Sequence, residues 1–424
     1  MKTMKNEKTE TKNGVVPKLR FPEFRRCGEW DSDILGNKNV SHFVKDRVGL
    51  NELTLETYVS TENLLSDYSG VAISSKLPPS GSFTQYKNGD ILVSNIRPYL
   101  KKIWQADRDG AASNDVIVIR SGKEVRSKFL RGLIQNDAFI DYVMKGAKGV
   151  KMPRGDISSM ADYPVAFPSF EEQSRIADCL SSLDALIAAH SQKLDGLKSY
   201  KKGLMQQLFP AKGEKVPKLR FPEFRGSGEW EEKKLGEVAE INPGKHRVDE
   251  STKLSFVPMS AVSEDGQLVV SDIRKYSEVL KGYTYFCDND VIVAKITPCY
   301  ENGKSALAKN LKNGLAAGST EFHVIRSNSK LLPSFLITLV NTDSVRILGK
   351  NSMAGTGGQQ RVPSTFFELL TVFVPTLAEQ QRIASFLSSI DNLITAQSQK
   401  IESLKTHKKG LMQQLFPAMG KANA

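Results

Sequence analysis

From Ile176 onward the apolar residues fall at Ile176, Leu180, Leu183, Ile187, Leu194, Leu197, Leu204 and Leu208, in steps of four and three, with the polar His190 and Lys201 in the gaps. Near the other end the same rhythm returns at Ile383, Leu387, Ile390, Ile394, Ile401, Leu404, Leu411 and Leu415, interrupted by Gln397 and Lys408. This is the a/d spacing of a heptad seam. It predicts two helices of about 35 residues, each about 50 Å long at 1.5 Å per residue. Pro168 and Pro375 precede the starts, and Phe209-Pro210 and Phe416-Pro417 mark the ends, because proline disfavours helix at the residue before it. Two seams of equal length most simply bury each other, as an antiparallel pair. The alternative is that each packs only on the module it follows. Elsewhere the pattern is mixed. DILVSNI, DVIVIR, DVIVAKI, EFHVIR and LTVFVP read as strands, and SKFLRGLIQNDAFIDYVMK and LPSFLITLVNTDSVRILGK read as helices. Each module is therefore α+β, with the long helix at its end.

The chain also repeats itself. VPKLRFPEFR occupies 16–25 and again 216–225, followed by Gly28-Glu29-Trp30 and Gly228-Glu229-Trp230. GDILVSNIRPYL from Gly89 matches NDVIVAKITPCY from Asn289, an offset of 200 residues. EEQSRIADCLSSLDALI from Glu171 matches AEQQRIASFLSSIDNLI from Ala378, and the KKGLMQQLFPA ends match likewise, at an offset of 207. The second copy has gained residues in between, and GTGGQQ from Gly355 is the expected place. A period near 200 is too long for a solenoid and means two tandem domains. The lead-ins and helical ends are nearly identical, whereas 31–150 and 231–350 have diverged. Two shared scaffolds carrying different middles suggest one docking partner and two targets. Neutral drift after duplication would instead spread the differences evenly, through the helices as well.

A chain of 424 residues exceeds one hydrophobic core, so two or more domains are expected. Its net charge of +12 favours a polyanionic partner, since Lys and Arg set against phosphates release condensed counterions. A basic protein that binds only other proteins is the plainer alternative. Cys27, Cys179, Cys287 and Cys299 form no CxxC pair, so a disulfide framework is not expected. The charged MKTMKNEKTETKNG start has no apolar signal-peptide core, and no run of about 18 apolar residues suggests a membrane span. The expected location is a reducing cytoplasm.

Catalytic motifs are not found. Gly303-Lys304-Ser305 could end a phosphate-binding loop, but Pro298 stands where its first glycine belongs. No G-x-G-x-x-G follows a strand, no Asn-Pro-Pro-aromatic run is present, and no nuclease-type carboxylate cluster follows a strand. Among five histidines none has HExxH spacing, and a zinc site from Cys287, Cys299 and His323 is no more than conceivable. The chain reads as a binding component. A structural adaptor using the helices to bridge proteins, or an enzyme with unrecognised motifs, are the competing readings.

These features together resemble type I restriction-modification specificity subunits. The resemblance rests on PKLRFPEFR…GEW at each lead-in, the strand ending in Arg97-Pro98 or Thr297-Pro298, and the helix starts Pro168-x-x-x-Glu172-Gln173-x-Arg175 and Pro375-x-x-x-Glu379-Gln380-x-Arg382. KKGLMQQLFP completes each copy, and the likeness covers the chain after residue 14. It implies an α+β fold of two tandem α/β target-recognition domains, 1–170 and 212–377. Two helical regions, 171–211 and 378–418, would form an antiparallel coiled coil with pseudo-twofold symmetry, and 419–424 would be a tail. It further implies a non-catalytic subunit whose two domains each read half of a split, asymmetric site on double-stranded DNA. Two methyltransferase subunits and two restriction/translocase subunits would be the partners. S-adenosylmethionine, ATP and Mg would belong to them, leaving this chain without a cofactor or metal of its own.

Residues suited to bases and phosphates follow from side-chain chemistry, since Arg fits guanine and Asn or Gln fits adenine when bidentate in the major groove. In the first domain the candidates are the strand exit Asn95, Arg97, Tyr99, Lys101 and Lys102 and the basic loop Lys148, Lys151 and Arg154. In the second they are Lys295, Thr297, Tyr300, Asn302 and Lys304, then Gln359, Gln360 and Arg361 in a loop whose Gly355, Gly357 and Gly358 would let backbone approach DNA. Partner contacts are expected at Glu172, Gln173, Arg175, Glu379, Gln380 and Arg382, and along the KKGLMQQLF segments.

Overall fold

A computed structural model describes residues 15–245, 248–270 and 272–417. The chain divides into two compact units: residues up to Ser191 with those from Gln399 onward, and Gln192–Ser398. Each unit thus takes the end of one long helix from the other copy of the repeat.

The seams form as their spacing predicts. Phe170–Leu208 and Leu377–Leu415 are continuous helices of 39 residues each. In the second unit, Leu204, Leu208 and Phe209 at the end of the first helix share a core with Ile383, Leu387, Ile390 and Ile394 at the start of the second. In the first unit, Met412, Leu415 and Phe416 share a core with Ile176 and Leu180. Within each unit the two helices therefore run antiparallel. The lysines that interrupt the seam are ion-paired: Lys201 with Asp391 in one unit, Lys408 with Asp184 in the other. A lysine at such a position fixes register because its ammonium must find a carboxylate at one level of the facing helix.

The helix ends are seated in the α+β cores. Phe416 packs against Phe129 at 5.4 Å between ring centres, and Phe209 stacks on Phe335 at 5.3 Å. Gly132 lies inside a short helix because a Cβ there would come within 2.7 Å of the Phe416 ring.

Each unit has a four-stranded antiparallel sheet. In the first the order is Ser41–Phe43, Val116–Ser121, Ile91–Ser94, Ile103–Gln105. In the second it is Ala239–Ile241, Phe322–Ser327, Val291–Ala294, Ser305–Leu307. Ile91–Ser94 and Val291–Ala294 are buried on both faces, which is why they read as unbroken apolar runs. Their starts are set by the repeated Gly89-Asp90 and Asn289-Asp290. Gly89 and Asn289 turn the chain at φ +91° and +73°. Asp90 accepts from the Lys87 amide and pairs with Arg120 through both oxygens, and Asp290 does the same with Cys287 and Arg326.

A further four-stranded sheet in each unit shares three strands and differs in the fourth. Tyr58–Val59 runs parallel and Ser82–Tyr86 antiparallel to Gly110–Ala112; Lys253–Val257 and Thr284–Cys287 flank Leu315–Gly318 in the same senses. The last strand, however, joins opposite edges: Arg47–Gly49 pairs with Ser82–Tyr86, but Asp272–Lys275 pairs with Lys253–Val257. The divergence between the copies therefore extends to topology.

The extra residues of the second copy mostly lie earlier than the glycine-rich loop. Val116 already matches Phe322, and Asp137 matches Asp343, an offset of 206. Six residues thus enter before these elements, two of them between the strands that pair Ile91 with Gln105 and Val291 with Leu307 and four around the loop carrying Leu311 and Gly314, and only one enters near Gly355.

Candidate nucleic-acid interface

Strand Ile91–Ser94 delivers the chain to the exit residues Asn95 to Lys102. A second segment, distant in sequence, is bonded to that exit. Lys148 and Arg154 exchange two backbone hydrogen bonds of 2.9 Å, closing a loop, and the Arg97 amide donates to the Pro153 carbonyl at 2.8 Å. The second unit repeats the construction: Ala354 and Arg361 close a loop at 3.0 and 2.8 Å, and the Thr297 amide donates to the Gln360 carbonyl at 3.0 Å. In each unit the strand exit and the loop chosen separately from sequence meet in one place.

The loop ends are held electrostatically. Arg154 pairs with Asp115 at 3.0 Å and Arg361 with Glu321 at 2.7 Å; Asp115 and Glu321 occupy matching positions, and sequence reasoning passed over both. The Arg361 guanidinium holds the Glu321 carboxyl below its ordinary range. Lys148 pairs with Asp156 at 2.7 Å while staying largely exposed. Arg97, Tyr99, Lys151 and Gln359 are exposed, and Asn95, Lys295, Thr297 and Gln360 are half-buried. Thr297 donates to Glu301 at 3.1 Å. Arg97 and Lys101 adopt left-handed conformations, at φ +50° and +54°, around the turn that carries Tyr99.

Several expected contacts are taken up internally. Tyr300 is 1% exposed, and its hydroxyl donates to the Val345 carbonyl. Burial pushes its pKa up to about 12, and it is a core residue rather than a DNA contact. Its counterpart at an offset of 200 is Leu100; Tyr99 aligns with Cys299. The Lys102 and Lys304 ammoniums donate to the Thr61 and Met259 carbonyls at 2.6 and 3.3 Å, tying each exit to the neighbouring sheet. Lys101 pairs with Asp137, which Lys409 from the second long helix also reaches. Those two ammoniums, Lys101 first, lower the Asp137 pKa. Asn302 donates to Glu264 at 2.8 Å. Arg346, unnoticed in the sequence, donates to the Tyr300 and Gly303 carbonyls at 3.2 and 3.1 Å and stacks on the Tyr300 ring, fixing the turn that carries Asn302 and Lys304. Burial lowers its pKa.

Four residues assigned to partner binding are also internal. Arg20 grips Glu172 through two bonds of 2.8 and 2.7 Å and donates to the Cys27 and Gly28 carbonyls. Arg220 grips Glu379 at 2.7 Å twice and donates to the Gly228 carbonyl, and the Trp230 indole N–H reaches Glu379 at 3.3 Å. Gln173 binds the Arg126 amide and the Glu124 and Pro168 carbonyls; Gln380 does the same with Leu332, Lys330 and Pro375. These four residues are at most 1% exposed. The repeated LRFPEFR…GEW segment is a clasp that locks the lead-in onto the helix start. Arg175 and Arg382 stay exposed, stacked on Phe21 and Phe221 and paired with Glu23 and Glu223. The ring nitrogens of His323 are taken by the Val362 carbonyl at 2.8 Å and by Asn242, which removes the geometric basis for a zinc ligand there.

A family profile described as the type I restriction modification DNA specificity domain matches the chain twice, over residues 55–199 and 227–406. The chain is 39% identical over 182 residues to the Type I restriction enzyme EcoEI specificity subunit of Escherichia coli, covering 42% of this chain and 30% of that one. It is 37% identical over 227 residues to the EcoAI specificity subunit of the same organism, covering 51% and 38%. The match thus spans about a third of the length of these two relatives. The MjaVIII specificity subunit of Methanocaldococcus jannaschii is 24% identical over 399 residues, covering 79% of this chain and 90% of that one. Two solved structures share the fold. One, described as the structural basis of complex assembly and conformational transition of the type I R-M system, has a TM-score of 0.54 at 18% identity and covers 92% of this chain and 98% of the other. The second is a Type-I restriction-modification system S subunit from M. genitalium, with a TM-score of 0.54 at 14% identity, covering 96% and 100%.

Proposed function

Because the chain belongs to the family of type I restriction-modification DNA specificity proteins, we propose that its two units each read one half of a split, asymmetric site on double-stranded DNA. The observation that carries this reading is the doubled construction of strand exit and closed loop. Its backbone bonds are the same in both units, while its side chains differ: Arg97, Lys148 and Lys151 in one, Thr297, Gln359 and Gln360 in the other. Equal scaffolds with unequal donors suit two different half-sites, since base edges are told apart by the pattern of donors and acceptors offered to them. Lys and Arg beside them suit phosphate contacts that set register.

On this reading the chain recognises and its partners react. Methyltransferase subunits using S-adenosylmethionine would modify adenine, and translocase subunits using ATP and Mg would cleave. Their docking surface is sought on the outer faces of the long helices. Leu186 and Leu393, matching positions off the seam, are 42% and 57% exposed there, and a pair of equal surfaces suits two copies of one partner.

The test is an exchange of residues 31–162 for those of a relative with known specificity, so that the loop closed by Arg154 travels with its strand exit. Methylated adenines are then mapped across a genome. One half of the modified site should change and the other remain. Change in both halves, or in neither, refutes the assignment.

A further inference from the structure

The loop between Lys148 and Arg154 ends in something that its charge does not foretell. Val150 is 103% exposed and Met152 is 50% exposed, on a loop whose base is closed by the Lys148–Arg154 backbone bonds. Gly149, at φ +94°, turns the chain just before the valine. Lys148, Lys151 and Arg154 stand exposed around them, and Arg97 is bonded to the same loop through its amide. Val150 is held wholly out in water, where it contributes nothing to folding, and half of Met152 is exposed beside it. The cations that surround them call for a polyanion, and the apolar surfaces that DNA offers are its base faces and the thymine methyl groups.

We propose that Val150 and Met152 are an apolar reading tip, buried against a base of the first half-site while the neighbouring cations take the phosphates. The counterpart loop, Ala354 to Arg361, carries Gly355, Thr356, Gly357, Gly358, Gln359 and Gln360, with no apolar side chain larger than alanine. The two units therefore read by different chemistry, apolar contact in the first and amide hydrogen bonding in the second. This inference rests on the DNA-reading function proposed above.

The test uses the full chain assembled with its methyltransferase subunits and duplexes carrying the site found by methylation mapping. The double variant Val150→Ser, Met152→Ser changes only exposed side chains. It should bind the site about tenfold more weakly with an unchanged salt slope, because every phosphate contact is kept. Two probes then separate the sources of apolar surface. If the tip meets a thymine methyl, replacing one thymine of the first half-site by uracil weakens the wild type and leaves the variant unaffected. If it wedges into a base step, 2-aminopurine at that step brightens with the wild type and stays dim with the variant. The proposal is overturned if the variant binds as tightly as the wild type and neither probe tells them apart. It is also overturned if the variant loses its methyltransferase subunits, which would make the tip a protein contact. A wild type without site preference refutes the underlying function as well, so the two failures are distinguishable.

Discussion

Asp137 shows what single residues contribute. Its carboxylate receives Lys101 from the strand exit at 2.6 Å and Lys409 from the long helix at 2.8 Å, so it ties the candidate reading turn to the helix end. Both ammoniums favour the charged form, and the folded pKa lies below the ordinary carboxylate value. The stabilisation is therefore present above the unfolded-state pKa and is lost as pH falls through the folded one. Asp137→Asn should lower the melting temperature at pH 7 and narrow the gap to wild type at about pH 3, where the unfolded carboxylate is already largely protonated. A gap that stays constant with pH would show that the carboxylate charge is not what anchors the turn. Residue types alone had marked Lys101, Lys102, Lys304 and Tyr300 as DNA contacts. Their side chains suit that chemistry, but the nearest acceptors turned out to lie within the chain: Asp137, and the Thr61, Met259 and Val345 carbonyls.

At the level of elements, the heptad rhythm forecast both long helices and their polar interruptions. Glu172, Gln173, Glu379 and Gln380 at the helix starts were misassigned to partners for a physical reason. A repeated, charged motif beside a repeated helix start looks the same in sequence whether its Arg meets an outside partner or the Glu of the following helix. Arg20 and Glu172, 152 positions apart, meet where the two-stranded pairing of Asp31–Ile34 with Pro164–Phe167 lays the lead-in beside the helix start. The helix ends carry a prediction of their own. Phe416 is 5% exposed in the core of the first unit, packed on Phe129 and over Gly132. Phe416→Ala should cost about 3–5 kcal/mol, the usual range for a buried Phe truncated to Ala. Calorimetry should show the loss falling on the transition of the first unit, although residue 416 lies at the far end of the second repeat. A loss confined to the second unit would contradict the exchange of helix ends.

For the whole molecule, the proposed split site makes the long helices a spacer. Three heptads inserted after Ser191 and again after Ser398 keep both seams in phase and add about 32 Å of helix, close to the 34–36 Å of one DNA turn. The methylated site should then tolerate a gap about ten base pairs longer, with the same bases in each half. An unaltered gap in the genome-wide methylation map would show that the helices do not set it.

The order of residues alone determined that the chain is a tandem duplication, that each copy ends in a long amphipathic helix, and that its middles diverge, because periodicity and self-similarity are properties of one dimension. Only the tertiary structure decided that each helix end completes the core of the other copy's module, that the lead-in is an internal clasp, and that a strand exit and a loop distant in sequence form one surface. A heptad says which face of a helix must be covered and leaves open what covers it. A lysine or glutamate likewise carries the same charge whether its counter-ion is in the chain or in a partner, and folding makes that choice by bringing one of them within reach.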